Sequence, residues 1–441
     1  MTPRPTLTHL WRKQAIHDRL VCHLTKADLA ACRLLCRDLA AELAPIAFVD
    51  TTVTLRRRAL TRPCRLLALK RIGAHIETIT FKIPHTTETF LPPVIDRITG
   101  TEQTFVYMPQ GHRVSYRHNK YGSHRMTDLL VQQYPPLFHT ATDIFAFERA
   151  LSFMRNIRHL RISCQGQPPS HRYRRSVVDY ALISLRVAVE RAPLPLLESL
   201  SLLPVHPAAA LYLRPDMGFG GSPASRKRWS QIRSLTIHMD SFQYHHGLPT
   251  DHFKLLHAYL QSFPELRKLV FHWVGEKNLS PLTLASEPYL QSTANSIESA
   301  PCYSNRSSSL RGLRFHHLEQ IELANIITDA SQISSFISLH RHTLMEFNVL
   351  ESTLRNGTWD DALAPMTQLG AQRQCKENPR QGSLVDVPLV LSQQQLQRVI
   401  CAAQQQRGGL RGLKKKRARE RLWGKPEHMK RLLPSSVFSW R

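Results

Sequence analysis

Four times along this chain a helical stretch passes through a short turn into an apolar L-x-x-L-x-L frame of the kind a half-buried strand carries. Asp143 to Met154 precedes Ile157, Leu160 and Ile162, and Val177 to Arg191 precedes Leu197, Leu200 and Leu202. Asp251 to Phe263 precedes Leu266, Leu269 and Phe271, and Asp329 to Arg341 precedes Leu344, Phe347 and Val349. Three further frames stand at Ile76, Ile79 and Phe81, at Ile232, Leu235 and Ile237, and at Leu318, Ile321 and Leu323. Three fixed apolar positions recur about a dozen times by chance in a chain of this apolar content, so the frame alone decides little. The repeated order of helix, turn and frame decides more, because each such unit leaves an apolar face that only a neighbouring unit can bury.

The fold class expected is therefore α/β: an irregular, leucine-rich-repeat-like solenoid of right-handed α/β repeats over residues 76–365. Successive frames start between 26 and 81 residues apart, and the Asn or Cys that usually closes the strand turn is missing, so the repeats are degenerate. Insertions are expected near 84–142 and 280–312. In the first, Thr104 to Met108 and His112 to Tyr116 flank Pro109-Gln110-Gly111 and read as a hairpin with a basic tip. The second includes the serine-rich stretch from Ser286 to Ser309. Gly218 to Lys227 reads as a loop, and Asn356-Gly357-Thr358-Trp359 as a turn with an aromatic that caps the array. Residues 366–441 read as a largely disordered, basic tail with one helix near Gln393 to Gln406.

A net charge of +26 argues against a calcium buffer and favours anionic partners. Residues from Arg407 onward carry +10 of it, centred on Lys414, Lys415, Lys416, Arg417 and Arg419. Such a run reads as a nuclear localisation signal, a nonspecific nucleic-acid contact or simply a solvated tail. A second cluster, Arg56, Arg57, Arg58, Arg62, Arg65, Lys70 and Arg71, falls in residues 49–75, which read as a basic connecting helix with one solvated face. Eight cysteines with no C-x-x-C pair point to a reducing compartment. Cys22, His23, Cys32 and Cys36 lack zinc-site spacing and read as small buried side chains, so no metal and no other cofactor is expected. No apolar run approaches the roughly 18 residues of a membrane span. With no phosphate-binding loop, H-E-x-x-H or G-x-S-x-G, no catalytic residue and no enzyme is expected.

Residues 7–48 read as two or three short helices. Thr25 and Asp28 have the form of a capping box, Ile16, Leu20 and Leu24 make one apolar stripe, and Leu29, Cys32, Cys36, Leu39 and Leu43 make a second. A unit this small buries too little surface to stand alone, so it must dock on a partner or on the next domain. The segment from Ile16 to Leu24, then Asp28-Leu29, Arg33-Leu34-Leu35-Cys36-Arg37 and Leu43 to Phe48, resembles an F-box. That family docks on the Skp adaptor of cullin–RING ubiquitin ligases, and the region after the motif, often leucine-rich repeats, recruits the protein to be ubiquitinated. Where the family usually opens with Leu-Pro-x-Glu, this chain has Arg12, Lys13, Gln14 and Ala15.

The resemblance implies a substrate-recognition subunit that works in the cytoplasm or nucleus. It would hold the Skp-type adaptor and cullin core through Ile16, Leu20, Leu24, Leu29, Leu35 and Leu39, and an unidentified protein target through the repeats. Two rival readings remain: the helices cap the repeat array, or the chain is a basic nuclear or nucleic-acid-associated scaffold without adaptor binding. If the repeats stack, Lys82, His159, Arg161, His238, Lys268 and His272 share the open face of the strands, with Glu322 and Glu346 further on. That face, basic early and acidic late, is expected to bind an extended or phosphorylated protein segment. Histidine protonation is expected to strengthen anion binding below about pH 6.5.

Overall fold

The computed structural model describes residues 14–95, 98–100, 102–103, 132–165, 176–214, 223–242, 249–287, 290 and 310–367. The expected hairpin at 104–116, most of the serine-rich stretch, the helix near 393–406 and the basic run at Lys414 to Arg419 lie outside the described residues.

Four short helices, α1 (Gln14–His23), α2 (Lys26–Cys32), α3 (Arg37–Glu42) and α4 (Ala44–Ala47), lead into strand β1 (Asp50–Thr54). Helix α5 (Pro63–Ile72) and β2 (Thr78–Lys82) follow, then a short antiparallel pair, β3 (Val94–Ile95) with β4 (Glu102–Gln103). Next come α6 (Pro136–Thr142), α7 (Ile144–Ser152), β5 (His159–Ser163), α8 (Val177–Arg191) and β6 (Ser199–Val205). They are followed by α9 (Ala209–Leu213), α10 (Pro223–Ser230), β7 (Ser234–Asp240), α11 (Pro249–Leu260) and β8 (Lys268–Val274). After β9 (Asn278–Leu279), β10 (Gln320–Ala324) and β11 (Ile326–Thr328) come α12 (Ala330–Leu339), β12 (Glu346–Leu350) and β13 (Thr353–Leu354). Residues 359–367 form a last helix.

This is a mixed α/β chain built on one parallel sheet of eight strands in the order β1-β2-β5-β6-β7-β8-β10-β12. Each strand after the first therefore pairs with the sheet strand that precedes it in the chain. Parallel neighbours need crossover connections, and described α-helices supply them everywhere except between β8 and β10. All seven apolar frames are strands of this sheet. Their first residues, Ile76, Ile157, Leu197, Ile232, Leu266, Leu318 and Leu344, are all buried. The four helices expected ahead of frames form within a few residues of their expected bounds. Asp143 and Ser176 cap two of them by accepting from Ala146 and Val178 backbone N–H groups.

Register is fixed by one recurring bond. The carbonyl just before each strand accepts from two successive N–H groups of the next unit: Glu77 from Arg158 and His159, Arg158 from Glu198 and Ser199, Glu198 from Arg233 and Ser234. The same fork continues from Arg233 to Arg267 and Lys268, and from Arg267 to Glu319 and Gln320. A second, three-stranded parallel sheet, β13-β11-β9, follows the last units in the same direction.

Four expectations need correction. Residues 49–75 are not a connecting helix throughout, because Asp50–Thr54 forms the first strand of the sheet and only Pro63–Ile72 is α-helical. Thr51 stands where the frame wants a leucine, and a half-buried edge strand tolerates it. Part of the Gly218–Lys227 loop is helical, since Pro223–Ser230 forms α10. The apolar stripe from Leu29 to Leu43 is not one helix, because the chain turns at Arg33–Leu35 and the Cys36 sulfur caps a new one by accepting from Leu39 N–H at 3.5 Å. One turn asparagine is present after all: Asn325, at φ 59°, donates from Nδ2 to the Trp273 carbonyl at 3.0 Å.

Candidate functional site

Two surfaces carry the residues singled out by sequence. The first is the N-terminal helical unit. Thr25 and Asp28 form the expected capping box, with Asp28 N–H donating to Thr25 Oγ1 at 3.3 Å and Thr25 N–H donating to Asp28 Oδ2 at 3.0 Å. The Thr25 hydroxyl, donating to Asp28 Oδ2 at 2.7 Å, and then the Thr25 N–H hold the Asp28 carboxyl below its ordinary range. Leu29, Leu39 and Leu43 form the unit's own small core, with Val21, Leu24, Cys32, Ile46 and Ala47 packed around them. Leu29 and Leu39, expected to face a partner, are thus taken up inside the chain, and Leu24 is half-buried. The backbone of Ile16 lies on α1, and its side chain lies outside the described part.

The turn at Arg33–Leu35 has the opposite effect. It throws Leu34 and Leu35 outward, 88% and 68% exposed, while Leu20 on α1 is 42% exposed. Leu34 was not among the residues expected to dock. It was missed because a helical stripe, not a turn, was read through this stretch. Cys22 and Cys36 are exposed rather than buried, and among the described residues no three His, Cys, Asp or Glu side chains gather as a metal site.

The second surface is the sheet face away from the buried frame residues. Lys82, His159, Arg161, His238, Lys268 and His272 all alternate with buried neighbours and so share it. They do not form one basic patch. His159 and Lys268 lie on one register row with Ser199 and Ser234 between them. At about 4.8 Å per strand, the three spacings from β5 to β8 put His159 and Lys268 about 14 Å apart, and Arg161, two residues further along its strand, stands about 16 Å from Lys268. Arg161 is also engaged, with its Nη1 at 3.0 Å from Asp50 Oδ2 across β2. Asp50 thus adds an acid at the start of a face expected to be basic early.

The histidines differ from expectation as well. Burial, then the neighbouring Arg161 charge, holds the His159 imidazole down at about 4, so it is neutral at pH 7. Its Nε2 lies 2.7 Å from Ser201 Oγ. His238 is lowered by burial and then by His272, whose ring centroid is 4.9 Å away. Hydroxyls share the face with them: Thr78, Thr80, Ser199, Ser234 and Thr236, with Ser201 buried beside His159. The signal is present in the sequence, since these occupy the variable positions of three frames. Hydroxyl rows offer donors and acceptors at strand spacing, which suits a peptide or other polar chain laid across them.

No protein-family model matches the chain, and no curated protein matches it in sequence. Among the described residues no helix is long and apolar enough to cross a membrane.

Proposed function

We propose that this chain is a non-catalytic binding subunit, the substrate-recognition component of a Skp–cullin–F-box-type ubiquitin ligase working in the cytoplasm or nucleus. In this reading the parallel units form a leucine-rich-repeat-like solenoid that presents its hydroxyl-lined face to a target protein. The N-terminal helices dock the adaptor. The observation that carries the reading is the exposure of Leu20, Leu34 and Leu35 on a helical unit whose interior is already filled by Leu29, Leu39 and Leu43. Leu34 and Leu35 would each contribute up to about 1.5–3 kcal/mol on full burial against a partner, and Leu20, already more than half buried, less. Support for the solenoid comes from the strict chain order of the strands and from the second parallel sheet that follows it.

Calorimetric titration of the full chain with a purified Skp adaptor tests this. Binding should be measurable for the wild type and abolished by Leu34→Asp with Leu35→Asp, both at exposed positions that leave the fold intact. Absence of heat with folded wild-type chain would refute the adaptor role.

A further inference from the structure

The first strand of the sheet leaves one side open. Val49 O accepts from Thr78 N–H at 2.8 Å, and Leu55 N–H donates to Lys82 O at 2.9 Å, so these peptide groups point towards β2. Peptide groups along a strand point alternately to either side, so those of Asp50, Thr52 and Thr54 face away from β2. The Asp50 carbonyl is taken by Lys26 Nζ at 2.9 Å. The outward backbone groups of Thr52 and Thr54 have no partner among the described residues.

Beside this edge, between β1 and α5, runs a groove of about 420 Å³. Half-buried Val53, Leu69 and Ile72 line it, together with Arg56 and Arg65. Arg56 makes no ion pair among the described residues, and Arg65 reaches only the Ala59 carbonyl, at 3.5 Å. The rest of the cluster, Arg57, Arg58, Arg62, Lys70 and Arg71, is exposed and likewise without an acid partner among the described residues. Proteins commonly guard an edge strand by placing charge on it. Here Asp50 is engaged by Lys26 and Arg161, the strand's other outward-facing residues, Thr52 and Thr54, are uncharged, and the cations flank a groove instead.

We propose that the β1 edge and this groove are a docking site for an extended acidic segment of a partner protein, which adds a ninth strand to the sheet. Its backbone would pair with Thr52 and Thr54, its apolar side chains would rest on Val53, Leu69 and Ile72, and its carboxylates would meet Arg56 and Arg65. The edge selects a peptide over a nucleic acid, because alternating N–H and C=O groups match another peptide backbone. The site borders the open sheet face at Thr52 and Thr54 but is separate from the exposed leucines, and does not depend on adaptor binding.

The test is fluorescence anisotropy of the full chain with a labelled peptide of alternating Val and Glu, eight residues long. Two further peptides carry N-methyl groups at alternate residues, one in each register, and a third replaces Glu by Lys. The Val-Glu peptide should bind. At least one N-methylated peptide should bind about tenfold more weakly through its lost backbone bonds, and the Lys peptide should not bind. Arg56→Glu with Arg65→Glu should weaken the Val-Glu peptide by a similar factor. So should Thr52→Pro, which removes only an outward N–H. The N-methyl comparison uses the wild-type chain, so it holds even if a variant misfolds. No binding, binding of both N-methylated peptides as tight as that of the parent, indifference to the arginine changes, or tighter binding of a uridine 20-mer at the same arginines would overturn the proposal.

Discussion

Asp179 is the third residue of α8, where its Oδ2 accepts from Ser176 N–H at 3.2 Å and closes a capping box. Burial pushes its carboxyl up to about 7, against hydrogen bonds from Ser176 and Tyr212 that pull the other way. A folded value above the unfolded one, about 3.9, means the folded chain holds a proton that the unfolded chain releases. The associated stability is present near pH 4 and lost as pH rises through about 7. The urea midpoint should therefore fall between pH 5 and pH 8, and Asp179→Asn should flatten that fall; an equal fall in both proteins would contradict the assignment. At the sheet face the sign works differently. His159 titrates near 4, so binding of an acidic target there should not strengthen through His159 between pH 7.5 and 5.5. A His159→Gln variant with the same pH profile as wild type would agree, and a lost pH response would not. The capping box at Thr25 and Asp28 was legible because both partners lie within one turn. The Arg161–Asp50 pair was not, since 111 residues separate its members.

Between elements, the tie from α8 to α10 is a buried polar cluster. Arg186 Nη1 donates to Glu190 Oε1 at 2.9 Å, Ser225 Oγ to Glu190 Oε2 at 2.6 Å, and Trp229 Nε1 to Glu190 Oε1 at 2.9 Å. Glu190→Ala removes the carboxylate that all three groups share and leaves the Arg186 charge buried beside it. Unfolding stability in urea should drop by about 3–5 kcal/mol. A loss below about 1 kcal/mol would mean that the cluster is not buried as described. Gly357 closes the turn ahead of the last helix at φ 81°, and a Cβ there would stand 2.6 Å from Ala330 Cβ. Gly357→Ala should cost more than about 1 kcal/mol in the same assay, and a neutral result would contradict that packing. The seven strands with apolar frames could be read because the period is local and each frame adjoins a helix or turn. β1 could not, since Thr51 breaks the frame and only its pairing with β2 makes it a strand. The turn at Arg33–Leu35 was hidden for a similar reason: it depends on Cys36 acting as a cap, a role outside the usual Ser, Thr, Asp and Asn signals.

At the scale of the whole chain, parallel strands in strict sequence order make the sheet grow by one unit at a time, and charges pair between neighbouring units or, as Arg161 does with Asp50, across one strand. Arg158–Glu198 at 3.8 Å and Arg267–Glu319 at 3.4 Å are such neighbours, and being exposed they add little stability. The order of the units was legible in the sequence, but the separation of the basic residues into two groups was not, because register across four strands is a property of the assembled sheet. The central claim concerns the other end of the molecule: that the exposed leucines at 20, 34 and 35 are an interface and the buried ones at 29, 39 and 43 are not. Hydrogen exchange of the full chain, alone and with saturating Skp adaptor, tests it most directly. New protection confined to residues 19–37, with the sheet unchanged, is the predicted result. Unchanged exchange there with adaptor present, or protection only on the strands, would contradict the account.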